Sequence, residues 1–519
     1  MSLGGREKSS PSNGGYPEAA TGSMNMPLLP VMSSPPLTRQ SSRAGSLDGN
    51  PMIVMKFGGS SLAGAAHLRR VAGIVHSRMS ERPIVVLSAM GKTTNELIAA
   101  AERAQSSGEV DISKVRSLTE GVLKELDVPV PAEVEGLLQE LERIISGISL
   151  LREVSGRTRD WVVSFGERLS VRTFTAWYNV FLQSHEPCAD RRVPARALDS
   201  WQVGMLTSSG AGSTNSTFSQ VEILPETYEA ISEYMSSLEL EYSYVPVVTG
   251  YIAKDGNGTI TTLGRDGSDL TATIIGAAIS AKEVQIWKDV DGVLTTDPRV
   301  VKEARLLTVL TFEEAAELTV FGATVVHPAA VMPAWLAGVP ITVRNSMVPH
   351  LPGTRIVSEM SEDDVKERGS RVAAMSSKRG ITMVVIRSTR MLGQHGFLAH
   401  VFNVFKKFEL SVDVIATSEV TISLTLDISF KPLDLTGLCA ELGTVATVEI
   451  NQSMSMLTLI TAKKTSCGVL REAFKLFEEI DAQVEMVSHG ASNVNVTFVL
   501  PDAILVECTR KLHKAFFET

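Results

Sequence analysis

The sequence has few of the residues that several classes of function require. Its four cysteines, Cys188, Cys439, Cys467 and Cys508, lie far apart without C-x-x-C spacing, which predicts reduced thiols rather than disulfides or a zinc site. The nine histidines are scattered, so no His-rich or Cys-rich cluster indicates a structural transition metal. No apolar run approaches the ~18 residues that span a membrane. These scarcities predict a soluble intracellular protein without a membrane partner.

Basic residues are also scarce relative to acidic ones. The formal net charge is −9, which disfavours a nucleic-acid partner because basic patches drive that affinity. At about 150 residues per domain, a chain of 519 residues predicts roughly three or four domains. Residues 1–50 hold ten Ser, seven Gly and six Pro, a composition that predicts disorder. They carry four basic and three acidic residues, whereas organelle transit segments are more clearly basic, so a targeting segment and a plain disordered tail or cloning remnant both stay open.

Between residues 51 and 346, short apolar runs alternate with helix-period stretches. The predicted buried strands are Met52–Phe57, Pro83–Met90, Val245–Ile252, Val284–Trp287 and Pro340–Val343, and the predicted helices include Val115–Leu126 and Leu270–Ile279. Buried strands that alternate with helices favour a parallel sheet covered on both faces. Ligands of such sheets usually bind at the carboxyl ends of the strands.

The segment I-V-M-K-F-G-G-S-S is the most informative short stretch of the chain. An apolar strand ends near Lys56, and Gly58, Gly59 and Ser60 follow before an Ala/Leu-rich stretch. Such a junction presents backbone N–H groups to an anion, and Lys56 adds a positive charge that could follow a phosphoryl group. The order excludes the dinucleotide turn and the Walker P-loop, in which the lysine follows the glycines. A tight turn without a ligand remains the alternative for this segment alone.

Two further segments carry residues suited to an amino-acid substrate. In S-F-G-E-R-L-S, Glu167 follows a strand-like run and could bind an ammonium group; a glutamate that opens a helix is the alternative. In T-L-G-R-D-G-S-D, Arg265 could bind a carboxylate or phosphate through two parallel hydrogen bonds. Helix capping would explain Ser268 and Asp269 but not Arg265, so we favour ligand binding for this segment.

The segment W-K-D-V-D-G-V-L-T-T-D-P-R, Trp287–Arg299, begins where a predicted strand ends. A D-x-D-G sequence often forms only a turn. Two aspartates, two threonines and an arginine so close together could equally surround a nucleotide and its Mg²⁺. Both interpretations remain open for this segment alone.

The C-terminal region contains an internal repeat with an offset of 72 residues. Gly396–Phe402 aligns with Gly468–Phe474, and Phe405 aligns with Phe477. Each copy predicts a strand, an amphipathic helix and two further strands. Two β-α-β-β units with a glycine at the helix start look like paired ACT modules, which are small-molecule sensors that commonly bind amino acids and pair edge to edge.

The four motifs, in this order and ahead of the repeat, resemble aspartate kinase. The resemblance runs from about Met52 to the C-terminus, and Arg390–Leu398 is most similar to the single-function enzymes of plants and algae. It implies an α/β fold: an amino-acid-kinase-type three-layer sandwich with a mainly parallel sheet, followed by two ferredoxin-like (βαββαβ) ACT modules. The implied domains are a leader at 1–50, the catalytic domain at 51–346, a linker at 347–375, an effector-binding ACT domain at 376–450 and a dimerisation ACT domain at 451–519. An exchange of strands between the two ACT modules stays open.

The implied activity is phosphorylation of the β-carboxylate of L-aspartate by ATP with Mg²⁺, the first step of lysine, threonine and methionine biosynthesis. Lys56 and Asp269 would be catalytic, with Asp269 orienting Lys56. The residues implied for ATP are Lys56, Gly58, Gly59, Ser60, Lys288, Asp289, Leu294 and Arg299, and those for aspartate are Thr94, Glu167, Arg265 and Ser268. Some family members carry a lysine in F-G-A-K-V-x-H-P, but this chain has Thr324 there, which puts a cationic role for that position in doubt. No side chain is assigned to the metal.

The resemblance also implies feedback inhibition through the first ACT copy. The residues implied for the effector are Met391, Gln394, Gly396, Phe397, Leu398, Ser411, Val412, Asp413, Ser418 and Glu419. We expect L-lysine, with Asp413 and Glu419 holding its two ammonium groups; S-adenosylmethionine and threonine are the alternatives. The second copy has Lys464–Cys467 in its equivalent loop and Glu485 in place of Asp413, and we expect it mainly to join a homo-oligomer.

Two other functions remain open at the level of sequence. One is a related kinase that acts on glutamate, N-acetylglutamate or a nucleoside monophosphate; Glu167 disfavours an acylated amine, because a carboxylate suits a free ammonium. The other is a non-catalytic amino-acid sensor, which the intact Lys56, Arg265 and Asp269 disfavour. Aspartate kinases that resemble this chain work in plastids, so we expect the chloroplast stroma, with the cytoplasm as the alternative.

Overall fold

The structure, a computed structural model, describes residues 52–186, 192–209, 221–239, 242–264, 266–320, 326–388, 395–426, 435–461, 466–490 and 494–518. The strands are β1 (Ile53–Phe57), β2 (Pro83–Leu87), β3 (Ala195–Leu198), β4 (Leu206–Thr207), β5 (Val245–Thr249), β6 (Ile252–Asp255), β7 (Ile260–Thr262), β8 (Val284–Lys288), β9 (Val309–Thr311), β10 (Ile341–Asn345), β11 (Thr354–Val357), β12 (Val372–Arg387), β13 (Val412–Thr417), β14 (Thr421–Leu426), β15 (Thr447–Thr461), β16 (Met486–His489) and β17 (Asn495–Pro501). The helices are α1 (Ala65–His76), α2 (Thr93–Ser106), α3 (Ser113–Glu125), α4 (Ala132–Leu151), α5 (Gly156–His185), α6 (Glu226–Glu239), α7 (Gly267–Ala278), α8 (Phe312–Val320), α9 (Pro328–Ala337), α10 (Glu362–Arg368), α11 (Phe397–Lys407), α12 (Leu435–Leu442), α13 (Ser466–Glu479) and α14 (Leu505–Phe517). Within these residues, no helix combines the length and apolarity needed to cross a membrane.

The N-terminal half is built on an eight-stranded sheet in the order β3-β5-β2-β1-β8-β10-β11-β9. Neighbouring strands are parallel except β10 and β11, which are antiparallel. Alternate residues of β1 enter different cores: Ile53, Met55 and Phe57 pack with α1 to α5, whereas Val54 packs with α6 to α9. Because both faces of the sheet are covered, the result is a three-layer arrangement, and the predicted mainly parallel α/β fold is confirmed.

The run Val245–Ile252, predicted as one strand, forms two. β5 ends at Thr249 in the large sheet, and β6 begins at Ile252 in a three-stranded sheet of order β4-β6-β7. Tyr251 between them has φ +67°, a left-handed conformation that breaks the extended backbone. The prediction missed this break because the apolar character continues across it.

The C-terminal region contains a six-stranded antiparallel sheet in the order β13-β14-β12-β15-β17-β16. α11 and α12 pack on the half formed by the first repeat copy, and α13 and α14 on the half formed by the second. The two long strands belong to both halves: Val372 and Leu457 lie in the second core, whereas Val384 and Val448 pack with the first. Strands are therefore shared between the two ACT-like halves.

The segment 347–375, expected as a linker, contains regular structure. β11 adds an antiparallel strand to the large sheet, α10 follows, and β12 begins at Val372. Ser361 caps α10 by accepting a hydrogen bond from the N–H of Asp364, whose carboxylate accepts in return. The polar composition of this segment suggested a linker. The exposed surface of a short capped helix is polar too, so composition did not distinguish the two.

Candidate active site

Two lysines converge on one buried carboxylate at the carboxyl edge of the large sheet. Lys56 lies near the end of β1, Lys288 ends β8, and Asp269 lies in the first turn of α7. The Lys56 Nζ atom is 2.6 Å from Asp269 Oδ1, and the Lys288 Nζ atom is 3.4 Å from Asp269 Oδ2. Because β1 and β8 are parallel neighbours, their ends place both ammonium groups on the same side of α7.

Burial by itself would raise the pKa of the Asp269 carboxyl, but the adjacent ammonium groups of Lys56 and Lys288 outweigh it and hold the pKa below its usual range. The cluster thus carries two positive charges against one negative charge. This net positive charge suits a ligand that carries several negative charges, such as a polyphosphate.

The alternative interpretation, in which Ser268 or Asp269 caps α7, is wrong. The N-cap position is Asp266, with φ +55° and no side-chain cap hydrogen bond. The Asp269 carboxylate pairs with the two lysines instead. Ser268 is buried against Gly250, where an added Cβ atom would lie 2.6 Å from the Ser268 Cβ, so only glycine allows this close approach.

Glu167 lies in the interior of the 30-residue helix α5. The sequence had suggested that it follows a strand or opens a helix, and both predictions are wrong. The N–H of Ala89 donates a hydrogen bond of 3.2 Å to Glu167 Oε1, whereas Oε2 is buried with no hydrogen-bond partner among the described residues. Burial raises the pKa of Glu167 to about 8, although the Ala89 N–H and the charge of Lys56 act in the opposite direction. A Cβ atom on the adjacent Gly166 would lie 3.6 Å from the Thr94 hydroxyl oxygen, which places Thr94 beside this part of α5.

Ala89, in the loop after β2, connects the first two motifs and is a residue that the sequence did not single out. Its N–H binds Glu167, and its carbonyl oxygen would lie 2.9 Å from a Cβ atom added to Gly59. The glycine is therefore required for the loop after β1 to pack against the loop after β2. No motif or periodicity marks an alanine in this role, because it acts through its backbone.

The structure gives less direct support for a phosphate contact by Gly58, Gly59 and Ser60, the residues implied for ATP that follow Lys56. The N–H of Gly58 donates to the carbonyl of Trp287 at 3.2 Å, so this amide is already used within the protein. Gly59 and Ser60 begin a short 3₁₀ helix, and Ser60 is exposed. Ser61, which follows, has its hydroxyl 2.7 Å from that of Ser346, a second residue the sequence did not indicate.

The nucleotide residues beyond Lys288 lie on the segment that leaves β8. Asp289 is exposed, and Leu294 is half-buried and forms a bridge with Leu306. The Arg299 side chain is 89% exposed, and its guanidinium binds the Asp297 carboxylate at 2.7 Å. The structure thus pairs Arg299 locally rather than with the lysine cluster.

Three of the predicted site residues, Arg265, Met391 and Gln394, lie outside the described residues, as does Thr324, the position that departs from the family pattern. Among the other residues implied for the effector, Gly396 is the N-cap of α11 with φ +89°, which favours glycine. The next two, Phe397 and Leu398, form the first turn of α11, while Ser411 and Val412 lead into β13.

The two carboxylates expected to hold one lysine lie at opposite ends of β13. Asp413 is the second residue of the strand and pairs with Lys378 at 3.0 Å, whereas Glu419 is exposed in the turn beyond its other end. At about 3.3 Å per residue, roughly 13 Å of strand separate Asp413 from Thr417. Ser418 stabilises that turn by accepting a hydrogen bond of 3.1 Å from the N–H of Thr421. The structure therefore does not bring Asp413 and Glu419 together.

The residues at the sheet edge fit a nucleotide with its magnesium ion. Lys56 and Lys288 would offer positive charge to phosphate oxygens, as the resemblance implies. The described residues contain no group of three His, Cys, Asp or Glu that could hold a metal ion by itself. Mg²⁺ is commonly bound by one or two carboxylates together with substrate phosphates and water.

Comparison with known proteins agrees with this fold. Residues 51–345 match the amino acid kinase family, and residues 462–516 match an ACT domain. The fold and site thus define an amino acid kinase with a C-terminal ACT domain. Aspartokinase 2, chloroplastic, of Arabidopsis thaliana is 41% identical over 485 residues, covering 90% of this chain and 84% of the relative. The chain belongs to the aspartokinase family.

Solved structures of this family resemble the chain over the same length. Aspartokinase III of E. coli in complex with aspartate and ADP, described as the R-state, is 30% identical with a TM-score of 0.69 and covers 90% of this chain and 100% of that one. The same enzyme in complex with lysine and aspartate, the T-state, is 31% identical with a TM-score of 0.70 and covers 90% and 99%. The predicted resemblance and the predicted fold class are confirmed.

Proposed function

We propose that this chain is an aspartate kinase that transfers a phosphoryl group from ATP, with Mg²⁺, to the β-carboxylate of L-aspartate. The observation that carries the proposal is the buried carboxyl group of Glu167, whose Oε2 atom has no hydrogen-bond partner among the described residues. A buried polar atom without a partner is costly, and a substrate ammonium group would satisfy it. The relation to aspartokinase III, solved with aspartate and ADP, supports this assignment.

The proposed chemistry needs no general base. The β-carboxylate of aspartate has a reference pKa of ~3.9 and is ionised at neutral pH, so the nucleophile is already an anion. Two anions must approach each other, and catalysis therefore depends on positioning and on neutralising charge. Lys56 would neutralise the transferring group, Asp269 would orient Lys56, and Lys288 would contact the phosphates. Mg²⁺, when bound, would neutralise part of the negative charge of the phosphates.

Substrate selection follows from Glu167 and separates the competing functions. A carboxylate partner suits the free ammonium of aspartate or glutamate but not an acylated amine. The test is formation of the acyl phosphate, trapped with hydroxylamine, for aspartate, glutamate and N-acetylglutamate in the presence of ATP. We expect product with aspartate. Product with N-acetylglutamate alone would contradict aspartate as the substrate. The absence of product with all three compounds would contradict kinase activity.

We further propose feedback inhibition by L-lysine through the first ACT copy at residues 376–450, with residues 451–519 joining a homodimer. The pairing of Asp413 with the Lys378 ammonium, with both side chains about one-fifth exposed, supports Asp413 as an ammonium site. Aspartokinase III solved with lysine, as the T-state, supports the effector. An inhibitor acts only through different affinities for two states, so loss of its contact should raise the inhibitory concentration and spare kcat.

Titration of wild type and Asp413→Ala with lysine, threonine and S-adenosylmethionine tests this regulation. We expect lysine to inhibit wild type and Asp413→Ala to need a higher concentration. Lysine-insensitive wild type, or a variant inhibited as readily as wild type, would contradict the site. The proposed place of the enzyme is the first step of lysine, threonine and methionine biosynthesis in the chloroplast stroma, which the chloroplastic relatives support.

A further inference from the structure

The segment that follows β8 folds back on itself. The N–H of Leu307 donates to the carbonyl of Val293 at 2.8 Å, and the N–H of Thr295 donates to the carbonyl of Arg305 at 2.8 Å. We call residues 293–307 the nucleotide-side loop, because it carries Leu294 and Arg299, two of the residues proposed to lie along ATP. Thr295 lies at the base of this loop, where its two arms pair.

Thr295 is also the residue through which the C-terminal region contacts the loop. The N–H of Met375 on β12 donates to the carbonyl of Thr295 at 2.7 Å. The Nε2 atom of His513 on α14 is 3.0 Å from the hydroxyl oxygen of Thr295. His513 is fully buried and Thr295 is 3% exposed, so water does not compete for this contact.

The other partners of these two side chains extend the hydrogen-bond network in both directions. The Nδ1 atom of His513 is 2.9 Å from Glu518 Oε1, and a carboxylate only accepts, so Nδ1 carries the proton. The other ring nitrogen, Nε2, is hydrogen-bonded to the Thr295 hydroxyl. The Thr295 oxygen in turn accepts from the N–H of Arg305 at 3.0 Å. The network therefore runs from the C-terminal residues to the backbone of the nucleotide-side loop.

A second contact joins the same helix to the same loop. The Nε atom of Arg510 on α14 donates to the carbonyl of Val300 at 3.1 Å. Val300 is adjacent to Arg299 in the chain. α14 thus contacts the loop at its base and at its far part.

We propose that His513 is a positioning residue that acts through Thr295 to hold the nucleotide-side loop in its ATP-binding geometry. The inference rests on the proposed function for the assignment of Leu294 and Arg299 to ATP. The burial of the Thr295 hydroxyl keeps it from the substrate, so it orients the loop and does not react. The C-terminal helix, far from the lysine cluster in sequence, is thereby a determinant of ATP affinity.

The direct test is a pair of substitutions at Thr295. Thr295→Val keeps the shape of the side chain but removes the hydroxyl, whereas Thr295→Ser keeps the hydroxyl. Loss of a buried hydrogen bond commonly shifts an equilibrium by about two- to tenfold. We therefore expect Thr295→Val to raise the Kd and KM for ATP by that factor with kcat and the KM for aspartate nearly unchanged, and Thr295→Ser to restore wild-type values.

Thr509→Val is the matched control, since Thr509 is a buried hydroxyl on α14 that donates only within the helix, to the carbonyl of Leu505. We expect it to leave the Kd for ATP unchanged. His513→Ala should reproduce the effect of Thr295→Val, and the double variant should be no worse than either single one, because coupled residues are not additive. Hydrogen exchange across residues 293–307 should become faster in Thr295→Val and His513→Ala but not in Thr509→Val.

The outcomes separate this inference from the proposed function. The Kd for ATP, measured by calorimetry, and hydrogen exchange need no turnover of aspartate, so they report on the loop even if the substrate differs. If the variants of the buried residues fail to fold, Arg510→Ala replaces them, because the Arg510 side chain is exposed and its removal is less disruptive. We expect this variant to have a higher Kd for ATP than wild type. An unchanged Kd for ATP and unchanged loop exchange in the folded variants would overturn the positioning role. Additive effects of His513→Ala and Thr295→Val would also overturn it.

Discussion

The raised pKa of Glu167 predicts that aspartate binding depends on pH in a specific way. Burial in α5 raises this pKa to about 8, so the carboxyl group of the free protein is mostly protonated at neutral pH. A substrate ammonium group prefers the ionised carboxylate, and binding must therefore displace the proton. One pH unit below the pKa, about one carboxyl group in ten is ionised, which costs about 1.4 kcal/mol of binding free energy. We expect the apparent KM for aspartate to rise about tenfold per unit as the pH falls from 8 to 6.

The assay measures the KM for aspartate and the KM for ATP between pH 6 and 8.5, each with the other substrate saturating. Calorimetry at pH 7 in two buffers of different ionisation enthalpy should show release of close to one proton per aspartate bound. Glu167→Gln cannot lose a proton at this position, so its KM for aspartate should be flat with pH. It should also be about 10- to 100-fold higher than that of wild type at pH 8, because the substrate ammonium loses its charged acceptor.

Stability provides an independent measurement of the same pKa. The folded pKa of about 8 lies above the unfolded value of 4.5, so the folded state holds the proton more tightly. The stabilising contribution is complete below pH about 4.5 and is lost as the pH rises through about 8. Glu167→Gln should remove this part of the pH dependence of unfolding. A wild-type KM for aspartate that does not change with pH, or a KM for ATP that changes as much as that for aspartate, would refute a substrate role for Glu167.

Further predictions concern charge, packing, regulation and location. Lys56→Ala should lower kcat by about 10²–10³ in a folded protein, measured by hydroxylamine trapping, and a near-normal kcat would contradict its catalytic role. Gly59→Ala should lower the free energy of unfolding by about 1–3 kcal/mol because its Cβ would lie 2.9 Å from a carbonyl oxygen, whereas Gly64→Ala, with open space, should be nearly neutral in denaturant titrations. Lys378→Met frees Asp413 from its ammonium partner and should lower the lysine concentration for half-inhibition; a higher concentration would show that Lys378 helps to bind the effector. A fluorescent fusion of residues 1–60 should enter plastids, and cytosolic fluorescence would count against the proposed location.

Glu167 shows where the sequence pattern was insufficient. The run V-V-S-F-G-E has no helical amphipathic stripe, and it suggested a strand. In the structure all residues from Val162 to Glu167 are buried within α5, because other elements surround this part of the helix. A helix buried on all sides loses the periodicity that identifies helices in a sequence. The sequence identified Glu167 as a candidate site residue but assigned it to the wrong secondary-structure element.

Local pattern alone determined several features of this protein. Continuous apolar strands between helices predicted the mainly parallel sheet, since a strand covered on both faces must be apolar throughout. The strand–glycine junction predicted Lys56 at the carboxyl edge, and the repeat predicted two related C-terminal units. Each of these signals lies within a few residues of chain, where strand and helix periods and backbone freedom act directly.

Only the tertiary structure decided which distant residues meet. It brought Asp269 to Lys56, placed the backbone of Ala89 between two motifs, shared β12 and β15 between the two ACT-like halves, and set His513 against Thr295. These contacts join residues that are up to 218 positions apart. A period or a turn preference describes neighbours along the chain, whereas such contacts depend on how whole elements pack. For that reason the sequence indicated the chemistry of the site, and the packing decided its geometry.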